Sequence, residues 1–330
     1  MHDTYVLLLA VIFLSLIFDF INGFHDTANA IATSVATRVL SPQLAVSMAA
    51  IMNLLGALSG TAVAKMVGTG LVEVSAITQA TLVSALLSAI LWDLITWYYG
   101  LPTSSSHAIL SSIVGASSAV GGMGVIIKKG VYKVLLGLIL SPLIGFFLGF
   151  LFMIFLIWMF RNATQSSVSN VFNRLQILSA AYMAFSHGNN DAQKTMGIIT
   201  MALVSYYNLS DFHVPLWVIV ACATSMAIGT AAGGWRIVKT IGTRLASLKP
   251  INGFAAEASA ATVIEIASRI GIPLSTTHII SSSIMGVGAS RRLSAVRWDI
   301  GGNIILAWIV TLPACAVFAW VISHFLRLFM

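Results

Sequence analysis

The sequence predicts an all-α polytopic membrane protein, an inverted-topology duplicated repeat with broken helices and two helical hairpins. Three observations carry that prediction: sustained apolarity along 330 residues, two motifs that recur in the same order, and polar or proline-containing breaks at matching places. Apolar residues make up 58% of the chain and charged residues 8%, with a mean hydropathy of +0.96. Soluble domains carry about 25% charged residues, which excludes one here. Runs of the roughly 20 residues needed to span a bilayer recur throughout and fit ten or so crossings. The first run, from Tyr5, has no Lys or Arg before it and many equal runs after it, so no cleaved leader is expected.

The repeat defines the elements. Gly23-Phe24-His25-Asp26-Thr27-Ala28-Asn29-Ala30 aligns with Gly188-Asn189-Asn190-Asp191-Ala192-Gln193-Lys194-Thr195 at an offset of 165. Leu101-Pro102-Thr103-Ser104-Ser105-Ser106-His107 aligns with Ile272-Pro273-Leu274-Ser275-Thr276-Thr277-His278 at an offset of 171. The halves are therefore 1–160 and 175–330, joined by a cytoplasmic linker over 161–174 that lacks a long apolar run. Each half reads as a long helix interrupted at the Asp motif (5–40; 175–207), then a spanning helix (44–64; 214–234). A hairpin follows (78–99 with 104–127; 252–270 with 275–289), and a closing helix ends the half (131–160; 300–326).

Lys and Arg set the orientation, because cytoplasmic loops carry the excess. Ten of the seventeen fall on one side, among them Arg161, Lys249 and Arg291, against five on the other. The ten-cation side is predicted to be cytoplasmic, both termini outside, and the second half inverted relative to the first. Topology accounts for the net charge of +7; with no basic stripe interleaved with aromatics, no nucleic acid is expected as partner. Cys222 and Cys315 stand alone in apolar segments and read as packing residues.

Ionisable groups at membrane depth are costly and mark an ion or substrate path by default. Asp19, Asp26 and Asp191 interrupt apolar sequence together with Asn22, His25, Asn29, His187, Asn189 and Asn190. Gly23 and Gly188 beside them predict local unwinding. At the hairpin tips, Pro102 and Pro273 precede Ser104, Ser105, Ser106 and Ser275, Thr276, Thr277, so N–H and O–H donors converge as an oxyanion cradle. A lone Ser/Thr cluster usually bonds to its own helix, and a lone Asp usually caps or cross-links helices. Duplication of both motifs reverses that judgement. His107 and His278 read as residues that orient the tips. Glu257 has Leu86 at the equivalent first-half position and stands even between a functional role and a helix N-terminal charge. Glu265 and Arg269, four apart, are expected to pair. The Gly-x-x-x-Gly pairs at Gly56, Gly145 and Gly229 are expected to bring helices close within one protomer.

The two Asp motifs and the two hairpin motifs, in order over essentially the whole chain, resemble the PiT inorganic phosphate transporter family, bacterial low-affinity permease type. The family signature Gly-Ala-Asn-Asp-Val-Ala-Asn-Ala matches at 23–30 and 187–194, and its Pro-plus-hydroxyl-plus-His motif at 102–107 and 273–278. The resemblance implies a dimeric secondary transporter of the cell membrane that carries phosphate with sodium or protons. It implies substrate binding by Asp26, Asn29, Asp191, Gln193, Ser104, Ser105, Ser106, Ser275, Thr276 and Thr277. Coupling falls to Asp26, Asp191, Lys194 and Glu257. Three departures stand out: Asn53 where eukaryotic relatives have Glu, no large central loop, and Lys194 in place of the second motif's Asn.

A fixed ammonium beside Asp191 could take the place of a sodium ion, so proton coupling is expected over Na+ coupling. No cofactor and no resident metal are expected. Monohydrogen phosphate offers an O–H donor that an ionised Asp accepts, whereas sulfate has none. A sulfate permease of the same family is the alternative. An intramembrane lipid-pyrophosphate phosphatase is the alternative of another class, and it lacks the cation that phosphoryl chemistry recruits, since neither tip contains Arg.

Overall fold

The computed structural model describes residues 2–73 and 77–328. Among them are twelve α-helices and no strand. The first six are α1 His2–Ala36, α2 Pro42–Ala57, α3 Ala62–Gly70, α4 Gln79–Tyr99, α5 Ser105–Gly121 and α6 Lys128–Met159. The second six are α7 Gln165–Tyr207, α8 Leu216–Ala232, α9 Trp235–Lys239, α10 Pro250–Arg269, α11 Thr276–Ala289 and α12 Trp298–Arg327. Long helix, bent pair, hairpin and long helix therefore occur twice. Isolated bridges Val72 with Ile126 and Ala246 with Val296 tie equivalent loops. Packing exchanges between the halves: α1 lies on α8 and α2 on α7, while α5 lies on α12 and α11 on α6.

The hairpins form where proline and glycine dictate. Gly100 and Gly271 end α4 and α10 with φ of 67° and 73°, a left-handed conformation that favours glycine. A proline follows two residues later in each, and Ser104 and Ser275 cap the second arms by accepting from the N–H of His107 and His278, each at 3.2 Å.

The breaks differ from expectation. α1 and α7 run unbroken through Gly23 and Gly188. A Cβ on Gly23 would lie 2.4 Å from the carbonyl oxygen of Met226, and one on Gly188 would lie 2.2 Å from that of Asn53. These glycines serve close helix crossing and not unwinding. Gly229 and Gly56 answer from the other side, where a Cβ would lie 2.0 Å from the carbonyl oxygens of Phe20 and Phe185 respectively. Gly145 and Gly149 bring α6 onto Ile279 and Ser283 of α11. Small-residue spacing thus works inside the protomer. The breaks lie one element later: α2 and α3 are bent by 66°, and α8 and the α9 segment by 59°. Gly233, at φ 74°, turns the second bend, and a π-helical turn, Thr240–Arg244, prolongs α9. The connection between halves is shorter than 161–174, because Thr164 caps α7 by accepting from the Ser167 N–H at 3.3 Å and helix begins at Gln165.

Polarity is inverted relative to a soluble protein. Asp19, Asp26, Asp93, Asp191, Lys194 and Glu257 are buried, while α6 exposes Ile139, Leu143, Phe147, Leu151 and Trp158. Among the described residues, five helices are long and apolar enough to cross a membrane, seven if each bent pair counts as one span. The 43-residue α7 is not among them, since its polar signature segment interrupts the run.

Gly188→Ala is expected to lower stability by about 3 kcal/mol, because the methyl meets backbone that cannot move aside. Gly302→Ala, with open space around it, should leave the thermal midpoint in detergent unchanged. Equal midpoints for the two variants would refute the crossing argument.

Candidate functional site

The unbroken middles of α1 and α7 cross the N-termini of α5 and α11, and this crossing brings the two sequence motifs together. Thr276 Oγ1 donates to Asp191 Oδ2 at 3.1 Å and Thr277 Oγ1 to Asp26 Oδ2 at 3.2 Å. Asn29 Nδ2 donates to Thr277 Oγ1 at 3.0 Å and to Thr276 Oγ1 at 3.4 Å. Lys194 Nζ donates to Asp191 Oδ1, to Ser106 Oγ and, at 3.2 Å, to the Leu274 carbonyl. One ammonium thus joins the second Asp motif to both hairpin tips. The rings of His107 and His278 meet edge to face at 4.4 Å between centroids. Trp308 stacks on His278 at 3.9 Å and its Nε1 donates to the Pro102 carbonyl at 2.8 Å, so one indole braces both turns.

Several residues that the motifs alone left without a role complete the site. His25 Nδ1 lies 2.7 Å from Asp26 Oδ1, and its Nε2 lies 3.2 Å from Thr96 Oγ1. His187 Nε2 stands between the two carboxylates, 3.3 Å from Asp191 Oδ2 and 3.9 Å from Asp26 Oδ2. Its Nδ1 lies 3.0 Å from Asn53 Oδ1, and Asn53 Nδ2 donates to Thr230 Oγ1 at 2.8 Å. His187 was legible in the four-residue spacing to Asp191, which sets both on one helix face. Asn53 and Thr230 had no local signal, since they come from the bent second helix of each half. One ligand atom each of Asp26, His187 and Asp191 lies within 4.8 Å of the others, a donor set that a cation or a proton could share.

Other expected site residues stand elsewhere. Gln193 caps α3: its Oε1 accepts from the N–H of Val63 at 2.7 Å and of Ala64 at 3.4 Å. Gln193→Ala should cost about 1 kcal/mol of stability, as lost caps do, and leave substrate preference in a competition assay unchanged; altered preference would restore it to the site. Ser104 and Ser275 spend their oxygens as helix caps. Glu257 accepts from Thr33 and Ser179, and Thr33 lies seven residues, about 10 Å, beyond Asp26 along α1. It forms a separate polar island. Asp19 accepts from Thr195 at 3.0 Å. Glu265 pairs with Arg269 at 2.8 Å and also accepts from Asn189 at 3.1 Å.

Two buried carboxylates need compensation away from bulk solvent, and ammonium, imidazole and hydroxyl donors surround them. Helix N-termini aimed at the same point suit an oxyanion. The comparisons agree. The phosphate transporter family profile matches residues 22–167 and 159–319. The chain is 46% identical over 314 residues to a probable low-affinity inorganic phosphate transporter of Bacillus subtilis (strain 168), covering 94% of each. It is similarly 46% identical over 313 residues to one of Rhizobium meliloti (strain 1021), again covering 94% of each. The fold matches the solved structure of a sodium-dependent phosphate transporter with TM-score 0.89, at 24% identity, over 98% of this chain and 100% of that one. These relatives are transporters and not enzymes, which removes the phosphatase alternative. With family profile, full-length relatives and fold in accord, the chain belongs to the phosphate transporter family.

Proposed function

We propose that this protein imports inorganic phosphate across a bacterial cytoplasmic membrane by symport with protons. Phosphate as the substrate is supported by the relatives' names and by a site that offers both acceptors and donors. Monohydrogen phosphate can donate a hydrogen bond from its O–H to Asp26 or Asp191 while it accepts from Ser106, Thr276 and Thr277. Those hydroxyls donate to the carboxylates or to backbone, so substrate entry exchanges one acceptor for another.

The observation that carries the coupling is Lys194. Its ammonium sits on Asp191, in the place the first half gives to Asn29, and supplies the positive charge that a second coupling cation would otherwise bring. A dianion approaching two carboxylates is repelled; a proton on one of them reduces that repulsion. Asp26, Asp191 and Lys194 are the coupling residues in this reading, with Glu257 a second proton-accepting station. The structural relative is described as sodium-dependent, so proton coupling rests on this chain's own Lys194. Inverted halves, external termini, a lipid-embedded homodimer and the tip-orienting role of His107 and His278 belong to the same proposal.

Radiolabelled phosphate uptake into proteoliposomes with imposed gradients tests it. Uptake driven by a proton gradient and indifferent to excess sulfate is the expected result. Uptake that needs sodium would overturn the coupling, and competition by sulfate would move the chain to the permease alternative.

A further inference from the structure

We propose that the end of the molecule where α6, α7, α10 and α11 meet binds the headgroup of an anionic phospholipid. This inference stands apart from the transport reading and needs only that the protein is embedded in a bilayer. A cavity of about 330 Å³ opens there, lined by Arg161 after α6, Lys249 before α10 and Arg291 after α11. All three cations are exposed, none forms an ion pair among the described residues, and no Asp or Glu lines the cavity. Gathering three like charges without a counterion is unfavourable, and an anion relieves it. The first turns of α7 and α10 open onto the same space through Gln165 and Pro250, and helices of 43 and 20 residues add their positive ends.

Apolar lining comes from Met153, Leu156 and Phe160 at the end of α6. Headgroup depth is marked by exposed Trp158, with the Arg161 guanidinium 5.8 Å from its ring centroid. Phosphodiester against cations and acyl chain against α6 satisfies both linings, whereas free phosphate leaves the apolar one unused. The repeat supplies an internal comparison. At the offset of 171, Lys249 and Arg291 correspond to Thr78 and Val120. At that twin end Arg327 donates to the Ala119 and Val120 carbonyls at 3.0 and 3.5 Å, closing α5. The cationic cavity is therefore a property of one end and not of the duplicated fold.

Native mass spectrometry of the purified protein, with phosphatidylglycerol against phosphatidylcholine, tests the site. The combined variant Arg161→Gln, Lys249→Gln, Arg291→Gln should lose preference for phosphatidylglycerol by about fivefold per cation removed. The variant Lys128→Gln, Lys129→Gln, Lys133→Gln should keep it. Equal loss in both, or no loss in the first, overturns the proposal. A thermal shift produced by millimolar inorganic phosphate as large as that produced by lipid, and abolished in the first variant, would assign the cavity to a free anion and also overturn it. The single variants at these exposed positions serve the same measurement should the combined one fold poorly.

Discussion

Lys194→Asn is expected to abolish phosphate uptake driven by a proton gradient alone and to make uptake sodium-dependent. The ammonium bonds to Asp191, Ser106 and the Leu274 carbonyl, so its loss removes the counter-charge of a buried carboxylate and one of the ties between the hairpin tips. Breaking a buried pair by removing one partner costs about 3–5 kcal/mol. That is roughly a hundredfold to several-thousandfold penalty on any state in which no cation replaces the lysine. Sodium, entering between Asp191 and the hydroxyls, restores the charge. Initial uptake rates at fixed proton gradient, with and without sodium, decide the matter; a variant still driven by protons alone would show that Lys194 is a structural tie and no surrogate ion.

Asp26→Asn should reduce the initial uptake rate by about a hundredfold or more while the protein stays folded. The carboxylate takes bonds from Thr277 and from His25 and faces His187. An amide of the same shape keeps the packing and one acceptor oxygen. It cannot take a proton or a cation in each transport cycle. Asp26 has no lysine beside it, so the first half is expected to be the more sensitive of the two. Parallel thermal unfolding separates the outcomes: a normal midpoint with lost uptake supports a coupling role, and an equal fall in both assigns Asp26 to structure.

The sequence made the hairpins legible because their geometry is local. Gly100, Pro102 and Ser104, and Gly271, Pro273 and Ser275, each act within a few residues on turns and caps. The motif pairing was legible because duplication pointed to Asp26 and Asp191 together. Glycine was misread at 23 and 188, since its two uses, unwinding and close approach, look alike along the chain. Only the backbone of Met226 and Asn53, about 200 and 135 residues away, decides between them. Gln193 was misplaced for a related reason. Its neighbours face the site, but at helical pitch its own side chain turns to α3, whose free N–H groups need a cap. Thr96 and Thr230 were invisible for want of local context, and Asn53 stood out only through the family resemblance, with nothing local to seat it against His187.

Reciprocal seating of α1 on α8 and α2 on α7, with glycine against backbone at each crossing, means that neither half is a folding unit. A lone half would leave bare the helix faces that its twin covers, and Asp26 in a lone first half would lack the Thr277 hydroxyl that the other half's hairpin supplies. A gene cut within the short connection before Gln165 should therefore yield two fragments that are degraded singly and recover a working carrier when made in one cell. Duplication here fused two mutually dependent partners, which ties the survival of either motif to the integrity of both.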